Sequence, residues 1–113
     1  MDSEREKLLF ICSRNRWRSP TAERVFARSE RFQVRSRGLS ASAAQRLREV
    51  DIRWADQIFV MESEHKRRLA QTFRQAIGYT PVHVLDIEDE YQFMDPELVE
   101  LIRLGVEAVV GSD

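Results

Sequence analysis

The chain has 113 residues, enough to bury a hydrophobic core but too few for a second domain, so we expect one domain over residues 1–113. Hydrophobic residues make up 42% of the sequence and the formal net charge is −1, which argues against a disordered chain and against a strongly basic nucleic-acid-binding protein. One cysteine cannot form an internal disulfide framework, and two histidines leave no zinc cluster, so we expect no metal and no cofactor. The first apolar run, residues 8–11, is too short for a signal peptide or a membrane span, and we expect a reduced cytoplasmic protein.

The first predicted elements are a strand, a loop and a helix. Four consecutive apolar residues at 8–11 are typical of a strand covered on both faces, as in a parallel sheet. Apolar residues at helical spacing predict a helix from Thr21 to about Ser29. Ser19 and Pro20 suit the entry to that helix, because Ser can cap a helix and Pro is tolerated at the first helical position.

A second strand and helix are predicted next. Alternating apolar and polar residues over 32–36 predict a strand that Gly38 ends. Apolar residues at helical spacing predict a helix over Ser42–Val50, and Asp51 is a candidate start for a further turn. This part of the chain is therefore expected to repeat the strand-to-helix order of the first part.

The following segment has the same order again. The apolar run at 58–61 predicts another central strand, and a helix is expected to begin at Glu62 or Ser63. His65 falls on the solvent side of that helix by its spacing. A fourth strand is predicted over 82–85.

The last predicted element is a helix that begins at Asp95-Pro96-Glu97, an N-cap followed by Pro at the first helical position and an acid in the first turn. Strands therefore alternate with helices throughout the chain. This order predicts an α/β fold, a three-layer sandwich with a central parallel sheet of about four strands.

The loop from Cys12 to Arg18, here called the Cys12 loop (residues 12–18), has the chemistry of an anion site. A loop that enters a helix turns successive backbone N–H groups inward, and the helix adds its positive N-terminal end. A cysteine in such a place, beside arginines, is favoured as the nucleophilic thiolate, and Arg18 can donate paired hydrogen bonds to a tetrahedral oxyanion. The alternative is that Cys12 is a small buried hydrophobic residue at the end of a core strand.

An acidic segment lies at the same predicted edge of the sheet. Asp86, Glu88, Asp89 and Glu90 crowd into five positions after the fourth strand, and this segment is here called the acidic loop (residues 86–90). Ligands of open parallel sheets bind beyond the carboxyl ends of the strands. The acidic loop, the Cys12 loop and the Met61-Glu62 region should therefore lie close together.

These residues resemble the low-molecular-weight protein tyrosine phosphatase family, whose phosphate loop reads C-x-G-N-x-C-R-S-P. Here residues 12–20 read CSRNRWRSP, so the Cys, Asn, Arg, Ser and Pro all match. Ser36-Arg37-Gly38 is similar to the family's Ser-Ala-Gly, residues 58–61 to its third strand, and Asp89-Glu90-Tyr91 to its Asp-Pro-Tyr. The resemblance implies a flavodoxin-like fold of the phosphotyrosine protein phosphatase I type.

The resemblance also implies a role for each matched residue. Cys12 is implied to be the nucleophile, Asp89 the general acid with Asp86 as the rival candidate, and Arg18 the main phosphate ligand. The implied phosphate-binding set is Ser13, Arg14, Asn15, Arg16, Trp17, Arg18 and Ser19, and the implied loop supports are Asn15, Ser19 and Ser36. The implied activity is that of a metal-independent, cysteine-dependent phosphomonoester hydrolase with a phosphocysteine intermediate, acting on phosphotyrosine or a small aryl or nucleotide phosphate.

The sequence departs from the family at two loop positions, where Arg14 replaces a glycine and Trp17 replaces a second cysteine. Arg14, Arg16 and Trp17 would favour a polyanionic ligand with a flat ring, or they are ordinary solvated loop residues. Two other functions stay open at this point. One is an arsenate reductase-like enzyme that uses an external thiol, and the other is a catalytically weak phosphate- or nucleotide-binding module.

Overall fold

The computed structural model describes residues 5–111 and contains a four-stranded sheet in the order β2-β1-β3-β4. All three strand pairs are parallel. The strands are β1 (Glu6–Cys12), β2 (Phe32–Gly38), β3 (Gln57–Val60) and β4 (Val82–Val84). The helices are α1 (Arg18–Phe26), α2 (Glu49–Trp54), α3 (Ser63–Thr72), α4 (Arg74–Ile77) and α5 (Pro96–Val110). The predicted α/β fold with a central parallel sheet of four strands is confirmed.

The uninterrupted apolar run of β1 follows from its position between two helical layers. Leu8 and Phe10 face the core shared with α1 and α5, whereas Leu9 and Ile11 face the core shared with α2, α3 and α4. All four side chains are fully buried. A strand covered on both faces needs apolar residues at consecutive positions, which is why alternation is absent here.

The strand order places a crevice at the carboxyl ends of β1 and β3. The chain runs outward from β1 to β2 on one side and from β3 to β4 on the other, so the order of the sheet reverses between β1 and β3. Such a switch point is where open α/β sheets bind ligands. Cys12 ends β1 at this crevice, and Glu62 follows two residues after the end of β3.

The predicted helix over Ser42–Val50 is wrong. Residues 42–48 are irregular apart from a bridge at Arg46, and only α2, beginning at Glu49, is helical. Backbone groups of the segment bond instead to the neighbouring strand and loop: Leu47 N–H donates to the Gly38 carbonyl, and Ala44 N–H donates to the Arg14 carbonyl. Because these amides pair with other parts of the chain, they are not free to form a helix.

The first helix begins three residues earlier than predicted. It starts at Arg18, with Trp17 as its N-cap residue, so Pro20 is the third helical residue. Ser19 does not cap the helix, because it is fully buried and its hydroxyl lies against Cys12. The predicted starts of α3 near Ser63 and of α5 after the Asp95 cap are confirmed, and the Asp95 carboxylate accepts from Glu97 N–H. Over residues 5–111, no helix combines the length and the apolar character needed to cross a membrane.

Candidate active site

The Cys12 loop encloses a cavity of about 360 Å³ at the crevice between β1 and β3. Cys12 is the last residue of β1 and only 3% exposed, and Arg18 is the first residue of α1. The cavity is lined by Cys12, Ser13, Arg14, Arg16, Trp17, Arg18 and Asp89. The cysteine is therefore buried, as the structural alternative proposed, and it also faces the cavity, as a nucleophile must.

The backbone of the Cys12 loop is arranged as an anion nest. Four of its carbonyls accept hydrogen bonds from outside the loop: Cys12 from Leu39 N–H, Ser13 from Ser40 N–H, Arg14 from Ala44 N–H and Trp17 from Thr21. No backbone N–H group of residues 13–18 donates a hydrogen bond to another group within residues 5–111. Carbonyls held outward leave the N–H groups of the loop available to an oxyanion.

Asn15 gives the loop its turn. Its φ of 53° is in the left-handed region, which Asn tolerates better than most residues. Arg14, at the position of the family's glycine, is not among the residues with positive φ, so its side chain fits without backbone strain. The Asn15 amide donates to Ser19 Oγ at 3.0 Å and to Ser36 Oγ at 2.9 Å. The buried side chain thus ties the loop to both α1 and β2.

Two serines complete this network. Ser36 Oγ accepts from Asn15 and donates to Glu23 Oε1 at 2.6 Å. Ser19 Oγ also accepts from Asn15, and its own hydrogen has two acceptors within reach, the Arg37 carbonyl at 3.4 Å and Cys12 Sγ at 3.0 Å, of which the sulfur is the nearer. A hydroxyl donor at this distance stabilises a thiolate.

Gly38 allows β2 to approach the loop. A Cβ at this position would lie 2.5 Å from Ala43 Cβ, 2.7 Å from the Ser13 carbonyl oxygen and 2.9 Å from Asn15 N. Only glycine fits there without displacing the backbone of the loop. The Ser36-Arg37-Gly38 sequence therefore supports the loop twice, once through the serine hydroxyl and once through the absent side chain.

Arg18 is held in place by three groups from two other segments. Its NH1 group donates to Glu62 Oε2 at 2.5 Å and to the Ile87 carbonyl at 2.8 Å, and its Nε lies 3.6 Å from Asp89 Oδ1. The Arg18 side chain is 3% exposed, so these contacts fix a nearly buried guanidinium. Glu62 was predicted to lie at this sheet edge, without a role in the site. Its position after β3 was the one available signal.

His65 was wrongly assigned to the solvent side of α3. Its side chain is 2% exposed, and its Nδ1 accepts from Glu62 N–H at 3.2 Å. An acceptor at Nδ1 places the proton on Nε2, which lies 3.2 Å from Ser13 Oγ and can donate to it. Burial lowers the pKa of His65 below its ordinary 6.5, and the nearby Arg18 charge lowers it further. His65 is therefore a neutral donor that supports the Cys12 loop from α3.

Within the acidic loop, Asp89 is the residue that reaches the cavity. Its side chain is 60% exposed and lies beside both Cys12 and Arg18 in the cavity lining. Asp86, the rival candidate, is exposed, has a φ of 59° and is not among the cavity-lining residues of the described chain. Glu90 forms a hydrogen bond with Glu88, which raises the pKa of Glu90.

Tyr91 packs at the end of the sheet and is not among the residues that line the cavity within the described chain. Its hydroxyl donates to Glu97 Oε2 at 2.7 Å. This hydrogen bond raises the pKa of Tyr91 to about 12. Within the described residues, Tyr91 therefore packs at the sheet end and bonds to α5.

The rim of the cavity carries the residues that depart from the family. Arg14 and Arg16 are both exposed, and the Arg16 guanidinium lies 4.8 Å from the centre of the Trp17 ring. This cation–π contact orders the rim and leaves both cations at the cavity mouth. Within residues 5–111, neither arginine has a carboxylate within ion-pair distance. In the same described part of the chain, no group of three His, Cys, Asp or Glu side chains is arranged to hold a metal ion.

Comparison with protein-family profiles gives no match, and comparison with curated protein sequences gives none either. Solved structures do match. YwlE arginine phosphatase from Geobacillus stearothermophilus is 22% identical, with 93% of this chain and 94% of that chain covered and a TM-score of 0.70. Vibrio vulnificus Wzb in complex with benzylphosphonate is 25% identical, with 91% and 93% covered and a TM-score of 0.68. A low molecular weight protein tyrosine phosphatase from Streptococcus pyogenes, SP-PTP, is 20% identical, with 91% and 89% covered and a TM-score of 0.70.

The chain has the fold of the low-molecular-weight protein tyrosine phosphatases. The resemblance drawn from the Cys12 loop is thus confirmed at the level of the fold. The alignments cover about nine tenths or more of both partners, so this likeness extends well beyond the loop.

Proposed function

We propose that this protein is a cysteine-dependent phosphatase that hydrolyses phosphate monoesters through a phosphocysteine intermediate. The proposal rests on the lining of one cavity, to which Cys12, Arg18 and Asp89 all contribute. Displacement at phosphorus needs a nucleophile, stabilisation of the phosphoryl oxygens and a proton for the leaving group. The cavity supplies one group for each need.

In the first half of the reaction, the Cys12 thiolate attacks phosphorus in line with the leaving oxygen. The S–P bond forms as the P–O bond to the leaving alcohol breaks, and Asp89 transfers its proton to that oxygen. Arg18 and the loop amides bind the three non-bridging oxygens, which carry the developing charge. Ser19, at 3.0 Å from the sulfur, stabilises the thiolate before attack.

In the second half, water attacks phosphorus and the S–P bond breaks. The Asp89 carboxylate takes a proton from that water, and the thiolate is regenerated as phosphate leaves. The same group thus acts first as an acid and then as a base. The 60% exposure of Asp89 suits this role, because its side chain needs access to both leaving group and water.

Aryl phosphates, with phosphotyrosine in proteins as the main case, are the substrate class we propose. Arg14 and Arg16, which have no ion pair within residues 5–111, place two cations at the cavity mouth, where they attract substrates with further negative charge. The Trp17 ring offers a flat apolar surface to an aromatic leaving group. YwlE is described as an arginine phosphatase. A cationic rim makes a phosphorylated guanidinium a poorer fit here than an acidic phosphotyrosine segment.

Arsenate reduction is not favoured by the comparisons, whose named relatives are phosphatases. Such chemistry would also need an external thiol, because Cys12 is the single cysteine of the chain. A thiol nucleophile must stay reduced, so we propose a reducing compartment such as the cytoplasm for its activity.

Pre-steady-state kinetics with an aryl phosphate test the proposal directly. We expect a burst of aryl alcohol equal to the enzyme concentration, and phosphate label trapped on Cys12 after rapid denaturation. Cys12→Ser should lose turnover while still binding inorganic phosphate, because the loop amides and Arg18 remain. Phosphate binding by the native protein with neither a burst nor a labelled cysteine would show a binding module instead.

A further inference from the structure

A second basic pocket, of about 330 Å³, lies between α3 and the segment that follows β2. It is lined by Leu39, Arg46, Leu47, Arg48, Arg68, Thr72 and Phe73. One wall is the irregular segment after β2 and the other is the C-terminal half of α3. The three arginines come from two segments far apart in sequence, so their convergence is a result of the fold.

Within residues 5–111, the guanidinium groups of these arginines lack the close ion pairs that other arginines form. Nearby, Arg35 and Arg37 both pair at 3.2 Å with the fully buried Asp51. Within residues 5–111, no carboxylate lies within 4.0 Å of the guanidinium groups of Arg46, Arg48 and Arg68. Asp51 accepts from the backbone N–H of Arg48, and Glu64 interacts with Arg68 only at longer range. Three guanidinium groups around one cavity repel one another, and a bound anion relieves that repulsion.

The floor of the pocket strengthens such binding. Leu47 is almost fully buried, and Leu39 and Phe73 are partly buried against the same core. Apolar walls lower the local dielectric and so increase the attraction between guanidinium groups and an anion. The Thr72 hydroxyl adds a neutral donor. Guanidinium groups bind tetrahedral oxyanions through paired hydrogen bonds, and several of them can share a ligand with several oxygens.

We propose that the second basic pocket binds a small ligand of the phosphate class that carries two or more negative charges, separately from the active site. The concave shape and limited volume suit a small molecule. A net charge of −1 for the whole chain argues against an extended nucleic-acid or membrane surface.

The pocket adjoins the active site through shared segments. Leu39 donates its N–H to the Cys12 carbonyl at 3.0 Å. Arg68 lies one turn along α3 from His65, whose side chain contacts Ser13. A ligand bound at Arg68 is therefore placed beside the support of the Cys12 loop and outside its cavity.

Titration of the isotope-labelled native protein with inorganic tripolyphosphate, followed by amide chemical shifts, tests the proposal. We expect two groups of amides to shift, one within residues 13–18 and a second around residues 39, 46–48 and 68–73. In the double variant Arg46→Gln, Arg68→Gln, the affinity reported by the second group should fall by at least about tenfold, because charge-assisted hydrogen bonds are lost. The first group should respond as before.

A matched control is the double variant Arg53→Gln, Arg103→Gln, which removes the same charge from α2 and α5 at residues outside the pocket. It should leave both groups of shifts in place. Two results would overturn the proposal: shifts confined to residues 13–18 in the native protein, or equal losses in the two double variants, which would show general charge attraction. The aryl phosphatase assay on the same variants keeps this outcome distinct from that of the proposed function.

Discussion

The active-site cavity and the second basic pocket are both lined by arginine, but the arginine side chains are held in different ways. In the active-site cavity, Arg18 is buried and fixed by Glu62, the Ile87 carbonyl and Asp89. In the second basic pocket, Arg46 and Arg48 are exposed, and no carboxylate of residues 5–111 forms an ion pair with their guanidinium groups. Fixed geometry is what catalysis needs, because the donors must already point to the charge of the transition state. Affinity alone needs only positive charge at a concave site.

The largest expected effect concerns the acid that faces the fixed arginine. Asp89→Asn should slow turnover of substrates with poor leaving groups by roughly 100- to 10,000-fold, the usual scale of general acid catalysis. Substrates with good leaving groups need little protonation and should be affected much less. Steady-state kcat, measured for a series of aryl phosphates with different leaving groups, tests this dependence.

Asp86→Asn is the matched control, since this carboxylate belongs to the same loop and does not line the cavity in the described chain. It should retain nearly native kcat. Should Asp86→Asn instead show the leaving-group dependence, the acid would be Asp86 and our assignment would be wrong.

A smaller loss of kcat is expected when the contact that anchors the Arg18 guanidinium is weakened. Glu62→Gln removes the charge that anchors the NH1 group, and a guanidinium misplaced by about 1 Å costs on the order of 100-fold in kcat. KM should change less, because the positive charge remains. Glu64→Gln in the same helix, whose carboxylate pairs with the exposed Arg67, should leave kcat unchanged. An equal loss in both variants would contradict a specific role for Glu62.

The unpaired arginines at the rim should affect substrate choice more than rate. Arg14→Glu combined with Arg16→Glu should raise KM for an acidic phosphotyrosine peptide by about tenfold, since exposed charge pairs contribute modestly. A simple aryl phosphate should show a smaller change, and high salt should reduce the difference. Equal losses on both substrates would remove the case for a polyanionic substrate.

The smallest expected effect is the pH dependence of stability that comes from His65. This side chain contacts Ser13 of the Cys12 loop and lies one turn along α3 from Arg68 of the second basic pocket. Because its folded-state pKa lies below the ordinary 6.5, the unfolded chain binds a proton first as the pH falls. The free energy of unfolding should therefore decrease below pH 6.5, by at most about 1.4 kcal/mol per pH unit, until the lowered pKa is reached. Above pH 6.5 this contribution is fully present.

Denaturant unfolding between pH 7 and pH 5 measures this dependence, which His65→Gln should reduce. His83→Gln is the control, because burial also lowers the pKa of His83 but its side chain is more exposed. Arg68→Gln should raise the pKa of His65 measured by NMR, since the Arg68 charge helps to lower it. An unchanged His65 titration in that variant would show that the pockets are not electrostatically linked.

Local patterns in the sequence determined the order of the elements and the central loop. The apolar run of β1 favoured a buried strand, and Asp95-Pro96-Glu97 favoured a helix start, because both patterns depend on residues close together in the sequence. The position of Cys12 followed from the same reasoning, since a strand that ends at a basic loop needs no distant contact to be recognised.

Tertiary structure alone decided the partners of the site. The segment over Ser42–Val50 has helical spacing, yet its amides bond to β2 and the Cys12 loop. His65 sits on the polar side of α3 by spacing, yet Ser13 and the Glu62 amide cover it. The spacing of apolar residues indicates which face of a segment is turned toward a hydrophobic core. It carries no information about which distant backbone or side-chain group arrives to satisfy a hydrogen bond, and that is what fixed Glu62, His65 and Asp89 around Arg18.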